Sequence, residues 1–348
     1  MKKFLSVIMA AALAVSMAAC SSSGDTNSTT AAAGSSDASG SSDAAEGETV
    51  APTGVKMTMG TGGTSGTYYA FGGVLGQYIK NKAGIDVTVV ATDGSKADIQ
   101  GIDAGDYQLG TVQSDVMAYA WDGVKAFADD GALDSFRVVG GLYAETVQLV
   151  TLNPDIKTPD DLKGKAVSIG APGSGVYFNA MDVLGAAGLT ENDIKAQYLS
   201  FADSAEGLKD GKIDAAFLVA GAPTPAITEL ATSNQIYLVP IEGDTAKAII
   251  DECPYYTELA IPAGTYSGQD EDVNTITVKA TLIVSADADE DSVYALTKAI
   301  YENADAIATE HSKGAELSIE NATTGMTAPF HKGAAKYFEE QGVTVEAE

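Results

Sequence analysis

Two short segments carry the residue types that hold small anions: residues 60–69 read GTGGTSGTYY and residues 170–175 read GAPGSG. Glycine lets a backbone turn tightly and approach a ligand, and the N–H groups that open a helix attract negative charge. In the first segment the candidate contacts are Gly62, Gly63, Thr64, Ser65, Gly66, Thr67 and Tyr68; in the second they are Gly173, Ser174 and Gly175. The first segment fails as a dinucleotide fingerprint, because the third glycine of G-x-G-x-x-G falls one residue late at Gly66 and no Walker-type lysine follows. A glycine-rich turn that only caps a helix explains either segment taken alone. Two of them, each following a strand and opening a helix, are what a ligand gripped between two lobes requires.

Gln113, Ser114 and Asp115 end a third strand on the same rim as the first segment. A carboxylate there can receive an ammonium group and an amide can bridge donor and acceptor, while a helix cap is the competing explanation for Ser114 or Asp115. Residues 219–225 (VAGAPTP) end the corresponding strand of the second set, which makes Ala220, Gly221 and Ala222 candidates for a cleft wall or a plain strand–helix corner. Enzymatic signals are thin. H-E-x-x-H is absent, and G-x-S-x-G fails because Pro172 stands two before Ser174. His311 and His331 have no nucleophile or paired carboxylate at motif spacing. The acidic run 287–291 has Ser292 and Lys298 where a calcium loop needs Gly and Glu, and reads as an acid-rich helix start. No catalytic residue, metal or cofactor is expected, and Cys253 is read as a small core residue.

The elements that must position these residues alternate from residue 55 onward. Apolar, β-branched runs at 55–61, 85–92 and 108–113 are separated by helical stretches at 67–82 and 96–104, and the third runs into a helix near Asp115. After a long extended run at 136–151, a second set follows, with strands at 166–170, 197–201, 213–221 and 235–241 and helices at 176–187, 203–209 and 225–232. A long strand at 275–285 precedes a helical remainder. The fold class is therefore α/β, with two lobes crossed twice by the chain at 145–151 and 275–285. Lobe 1 is expected over 53–144 and 275–348, lobe 2 over 145–274. With 348 residues the chain is long enough for both. The charge is lopsided: 48 Asp and Glu against 20 Lys and Arg give −28, which excludes nucleic acid as a partner. Arg137 is the single arginine, so no arginine clamp for a carboxylate can be built.

Lys2 and Lys3 precede an apolar run at 4–19 with the length of a signal-peptide core, and Ala18-Ala19-Cys20 resembles the lipobox of bacterial lipoproteins. That resemblance implies an extracytoplasmic protein whose signal peptide (1–19) is removed and whose Cys20 carries lipid. Residues 20–52 are rich in Ser, Ala, Gly and Thr and read as a disordered tether; thirty such residues reach about 30 Å.

Several motifs in order, GTGGTSGTYYAFGG, TVQSDVMAYAWDG, DLKGKAVSIGAPGSG, AGAPTPAITELA, IPAGTYSGQDEDVNTITVKATLIVS and TAPFHKGAAKYF, span residues 60–338. The chain resembles the TAXI-type solute receptors of TRAP (tripartite ATP-independent periplasmic) transporters. The resemblance implies a two-lobe type II periplasmic-binding-protein clamshell and a permease partner with fused membrane subunits. It also implies a ligand such as glutamate, glutamine or a related carboxylate. A monomer is expected. The alternative class is a membrane-tethered sensor or surface hydrolase using the same cleft.

Overall fold

The structure is a computed structural model in which residues 50–348 are described. The expected signal peptide, Cys20 and the tether as far as residue 49 lie outside the described residues. The first described residues are held against the body: Val50 N donates to Asn81 O at 2.9 Å and Thr53 N to Gly84 O at 2.9 Å.

The chain opens with β1 (Lys56–Gly60), α1 (Thr67–Ala83), β2 (Asp86–Val90), α2 (Ser95–Asp103), β3 (Leu109–Gln113) and α3 (Ser114–Asp122), then runs into the long β4 (Phe136–Thr151). The second set is β5 (Ala166–Ser168), α4 (Val176–Ala186), β6 (Lys195–Gln197), α5 (Phe201–Lys209), β7 (Ala215–Ala220), α6 (Pro225–Ser233), β8 (Tyr237–Val239), α7 (Gly243–Glu252) and β9 (Thr257–Ile261). The chain returns through β10 (Val273–Ser285) to α8 (Glu290–Tyr301), α9 (Ala304–Glu310), α10 (Ile319–Thr323) and α11 (Lys332–Glu340). Local chemistry accounts for the elements nearest the site. In α1, Phe71, Leu75, Ile79 and Ala83 recur every fourth residue and are buried on one face. The helix stops at Gly84, whose φ of 70 is left-handed and whose missing Cβ leaves room for Ala51 O. All five residues of β3 are buried, as a strand covered on both faces requires. The acid-rich start of α8 holds as read: Asp289 caps it by accepting from Ser292 N at 2.9 Å.

The sheet order is β2-β1-β3-β10-β4-β7-β5-β6. β1 pairs with β2 and β3 in parallel, and β5 pairs with β6 and β7 in parallel. Between these two sets lie β4 and β10, antiparallel to each other from Phe136↔Ser285 to Thr146↔Thr277. Beyond that, β4 continues against β7 and β10 against β9. Both long strands thus pass from one half of the molecule into the other, which gives the two-lobe type II clamshell. Buried apolar side chains form one cluster from residues 57–143 and 280–338 and two more from residues 147–278.

Three local readings differ from the sequence. Ser200 Oγ accepts from Asp203 N at 3.1 Å and so caps α5, which makes Phe201 the first residue of a helix and not the end of a strand. Neither α7 nor β9 was anticipated. In α7 only Ala246 and Ile249 are buried, and β9 is an edge strand with four exposed residues, so neither shows a clear apolar period.

Candidate functional site

A cavity of about 290 Å³ lies between the two lobes, near the small end of the roughly 300–1,000 Å³ common for small-molecule sites. From lobe 1 it is walled by residues 61–68, the turn at 91–95 and Gln113, and from the crossing strand β4 by Glu145. From lobe 2 it is walled by Ala171, Ser174, Gly175, Val176, residues 199–202, Val219 and Ala220. The mouth of α1 is the clearest polar feature. Its N-cap is Gly66, no side chain caps it, and no acidic residue stands in its first turn. The first N–H groups of a helix have no intrahelical partner and carry the positive end of its dipole, so this wall favours a carboxylate. Gly62 turns the approach with φ 65, and its N–H donates to Thr92 Oγ1 at 2.8 Å.

The lobes touch across the cleft. Thr67 Oγ1 donates to Gly221 O at 2.6 Å, and Ala226 N donates to Ser65 O at 3.2 Å. Gly173 O accepts from both Lys96 N at 3.1 Å and Ala97 N at 3.3 Å at the start of α2. Gln113 Nε2 donates to Asn179 Oδ1 at 2.7 Å. These contacts describe a closed clamshell.

Of the residues anticipated from sequence, 62–68, Gln113, Ser174, Gly175 and Ala220 line the cavity. Ser114, Asp115, Gly173, Gly221 and Ala222 stand off its lining. Ser114 Oγ accepts from Lys279 N at 3.1 Å. Asp115 is fully buried, and Asn179 Nδ2, from lobe 2, donates to its Oδ2 at 2.9 Å. The same Nδ2 donates to Tyr256 Oη at 2.6 Å, and that hydroxyl donates to Asp182 at 3.0 Å. Asp115 therefore belongs to a polar seam off the cavity lining, with its Oδ1 left without a partner among the described residues. Burial raises its carboxyl to about 6, against the hydrogen bond from Asn179. Nor does it cap α3, whose N-cap is Gln113 with no side-chain cap.

Glu145 is the wall residue the sequence reading passed over as part of a crossing strand. Its carboxylate is buried, Oε1 accepts from Gly221 N at 3.1 Å, and Oε2 has no partner among the described residues. Burial pushes it up to about 8, opposed mainly by the nearby Lys313. Lys313 Nζ is itself paired with Glu316 Oε1 at 2.6 Å. The Tyr143 hydroxyl is directed at the Glu145 carboxylate and favours its ionised form. A signal existed: one acid inside a 16-residue, almost wholly buried strand. Behind the first glycine segment lies a second buried acid, Asp98, held up to about 8 by burial. Neither of its oxygens has a hydrogen-bond partner among the described residues, and a Cβ on Gly60 would lie 2.3 Å from its Oδ1.

No basic side chain lines the cavity. Arg137 donates to Asp134 O at 2.7 Å and Phe136 O at 2.8 Å and pairs with Glu348 at 3.1 Å. A larger hollow of about 650 Å³ surrounds Lys279, but that ammonium is already spent on Asn321 O at 2.9 Å and Thr324 O at 2.7 Å. Both histidines serve as helix caps: His311 Nδ1 accepts from Lys313 N and His331 Nδ1 from Gly333 N, each at 3.2 Å. Among the described residues there is no cluster of His, Cys, Asp or Glu able to hold a metal, and no helix long and apolar enough to cross a membrane.

The model of the NMT1-like family matches residues 59–342. The chain belongs to the NMT1-like family. Among solved structures, this NMT1-like chain is similar to a protein from Bordetella bronchiseptica RB50 at 19% identity and a TM-score of 0.51, over 82% of this chain and 89% of that one. It is also similar to the alkanesulfonate-binding protein SsuA from Xanthomonas axonopodis pv. citri bound to MOPS, at 17% identity, a TM-score of 0.47 and coverage of 84% and 92%. A third is the GluR0 ligand-binding core from Nostoc punctiforme in complex with L-glutamate, at 14% identity, a TM-score of 0.45 and coverage of 76% and 98%. At these identities the likeness speaks to the fold alone, and the chemistry of the NMT1-like site has to come from its own residues.

Proposed function

We propose that this NMT1-like protein is an extracytoplasmic solute receptor that closes around one small ligand and delivers it to a membrane permease. The observation that carries this reading is the cavity itself, set between two lobes already joined by backbone contacts and walled by an uncapped helix mouth. A carboxylate fits the mouth of α1, where backbone N–H groups and the Thr64 and Ser65 hydroxyls replace the absent arginine clamp. The acidic Asp93 on the cavity wall and the lack of any basic lining side chain disfavour a multiply charged anion. An amino acid such as glutamate or glutamine suits both requirements better than a plain dicarboxylate.

The finer assignments rest on the TAXI resemblance: a TRAP permease as partner, with residues 53–144 and 275–348 closing against 145–274. The lipobox-like Cys20 supports anchoring at the outer face of the membrane, from which the tether lets the body turn toward the permease. A surface hydrolase built on a hydroxyl nucleophile with a histidine base is not favoured, since neither His311 nor His331 is among the lining residues.

Calorimetric titration of the purified protein with L-glutamate and L-glutamine, combined with small-angle scattering, tests the reading. Saturable binding with a smaller radius of gyration is expected. Binding without compaction would argue against a clamshell receptor.

A further inference from the structure

Two polar groups inside the cavity are left without partners by the fold. Glu145 Oε2 and the Tyr68 hydroxyl are both buried and both lack a hydrogen bond among the described residues. Burying such groups unpaired is costly, and here both belong to residues that line one cavity, close enough together for Glu145 to help raise the Tyr68 hydroxyl. The groups facing Glu145 do not meet the need. Tyr143, on the same strand, offers Glu145 a neutral hydroxyl that brings no charge, and Lys313 is engaged by Glu316. No cation lines the cavity, so a cation that pairs with Glu145 there can come only with the ligand.

The geometry points to Glu145 and Tyr68 as the specificity-determining end of the cavity, which takes a cationic nitrogen of the ligand against Glu145 Oε2 and Tyr68 Oη. This deepens the receptor reading and rests on it. Glu145 stands opposite Val278 where β4 crosses between lobes, and its Oε1 holds Gly221 N, while the carbonyl of Gly221 receives the Thr67 hydroxyl. The same carboxylate thus reads the ligand and braces a contact across the cleft. Since burial holds Glu145 at about 8, it carries a proton at neutral pH. A ligand ammonium displaces that proton to solvent, leaving carboxylate paired with ammonium and one proton released per ligand bound.

The test titrates the full-length protein with matched pairs, L-glutamate against 2-hydroxyglutarate and L-glutamine against its deaminated analogue, in buffers of different ionisation enthalpy. The amine-bearing member is expected to bind at least tenfold more tightly, to release close to one proton, and to gain up to about tenfold in affinity per pH unit between pH 6 and 7.5. Glu145→Gln should collapse the preference to below threefold and flatten the pH dependence, and Tyr68→Phe should weaken the preference in part. Equal binding of both members, or an unchanged preference in folded Glu145→Gln and Tyr68→Phe, overturns the assignment. Should Glu145→Gln fail to fold by circular dichroism, Tyr68→Phe and the wild-type proton release decide. A ligand without nitrogen, retained through native mass spectrometry and lost when Gly66→Trp fills the cavity, would sink this assignment while leaving the receptor reading intact. Ligands that persist in Gly66→Trp would sink the receptor reading as well.

Discussion

The two glycine segments share one grammar, strand, small residues, helix, and the structure gives them different work. At residues 60–69 the loop opens onto the cavity: nothing lies within 4 Å of where a Gly63 Cβ would stand, and α1 begins uncapped. At residues 170–175 the loop is pressed against the other lobe, with the Gly173 carbonyl taken by the start of α2 and a Gly175 Cβ placed 1.6 Å from Gln113 Oε1. The first is a ligand wall; the second is chiefly a closing contact that lends Ser174 and Gly175 to the lining. Glycine after a strand therefore marks close approach, and what approaches, ligand or protein, is decided by the opposite lobe.

The largest expected effect follows from the buried acids gathered on the first segment's side. Asp98 and Glu145 both sit at about 8, well above their unfolded values near 4. The folded state then binds protons that the unfolded chain has lost, so stability is fullest below about pH 4 to 5 for these groups and falls as pH rises through 8. Surface carboxylates are already ionised above pH 6 and Asp115, at about 6, adds little above pH 7, so the fall between pH 7 and 9 reports chiefly the buried pair, on the order of a few kcal/mol. Urea melts should show it, and Asp98→Asn should remove part of it. Flat or rising stability over that range would contradict the placement of these acids.

Next in size is closure. Gly175 has φ −72, so alanine fits its backbone, but the added methyl meets Gln113 and Val116 from lobe 1. Gly175→Ala should lower ligand affinity at least tenfold and leave the radius of gyration large at saturating ligand, with a normal melt. Gly63→Ala should cost much less. Equal effects would erase the distinction between the two loops.

Smaller still is the seam. Asp115→Asn weakens one hydrogen bond between lobes, about 1 kcal/mol or roughly fivefold in affinity, and should do so equally for an amino acid and its deaminated analogue. A loss confined to the amino acid would return Asp115 to the ligand. At the bottom of the scale, Arg137→Ala should leave affinity within twofold in the same titration, since its guanidinium is tied to Asp134, Phe136 and Glu348. A larger loss would place the arginine in binding after all.

Much of this was legible in sequence because the signals were local. The four-residue spacing in α1, the 16-residue span of β4 and the glycine punctuation need only neighbours along the chain. What escaped depends on distant partners. Asp115 looked like a cap or an ammonium receptor, and only the fold shows Asn179, 64 residues on, donating to one of its carboxylate oxygens. Glu145 looked like one acid in a strand until β7 brought Gly221 beside it. The edge strand β9, nearly all exposed, had no pattern to read.

The central claim, that one small solute is held between the lobes against the mouth of α1, is tested most directly by native mass spectrometry of the gently purified protein and its Gly66→Trp variant. The account predicts a discrete small-molecule adduct on the wild type, with a mass suited to a cavity of about 290 Å³, and its loss from the variant. An adduct that survives in the variant, or a wild type that binds nothing when offered amino acids and small carboxylates, would contradict it.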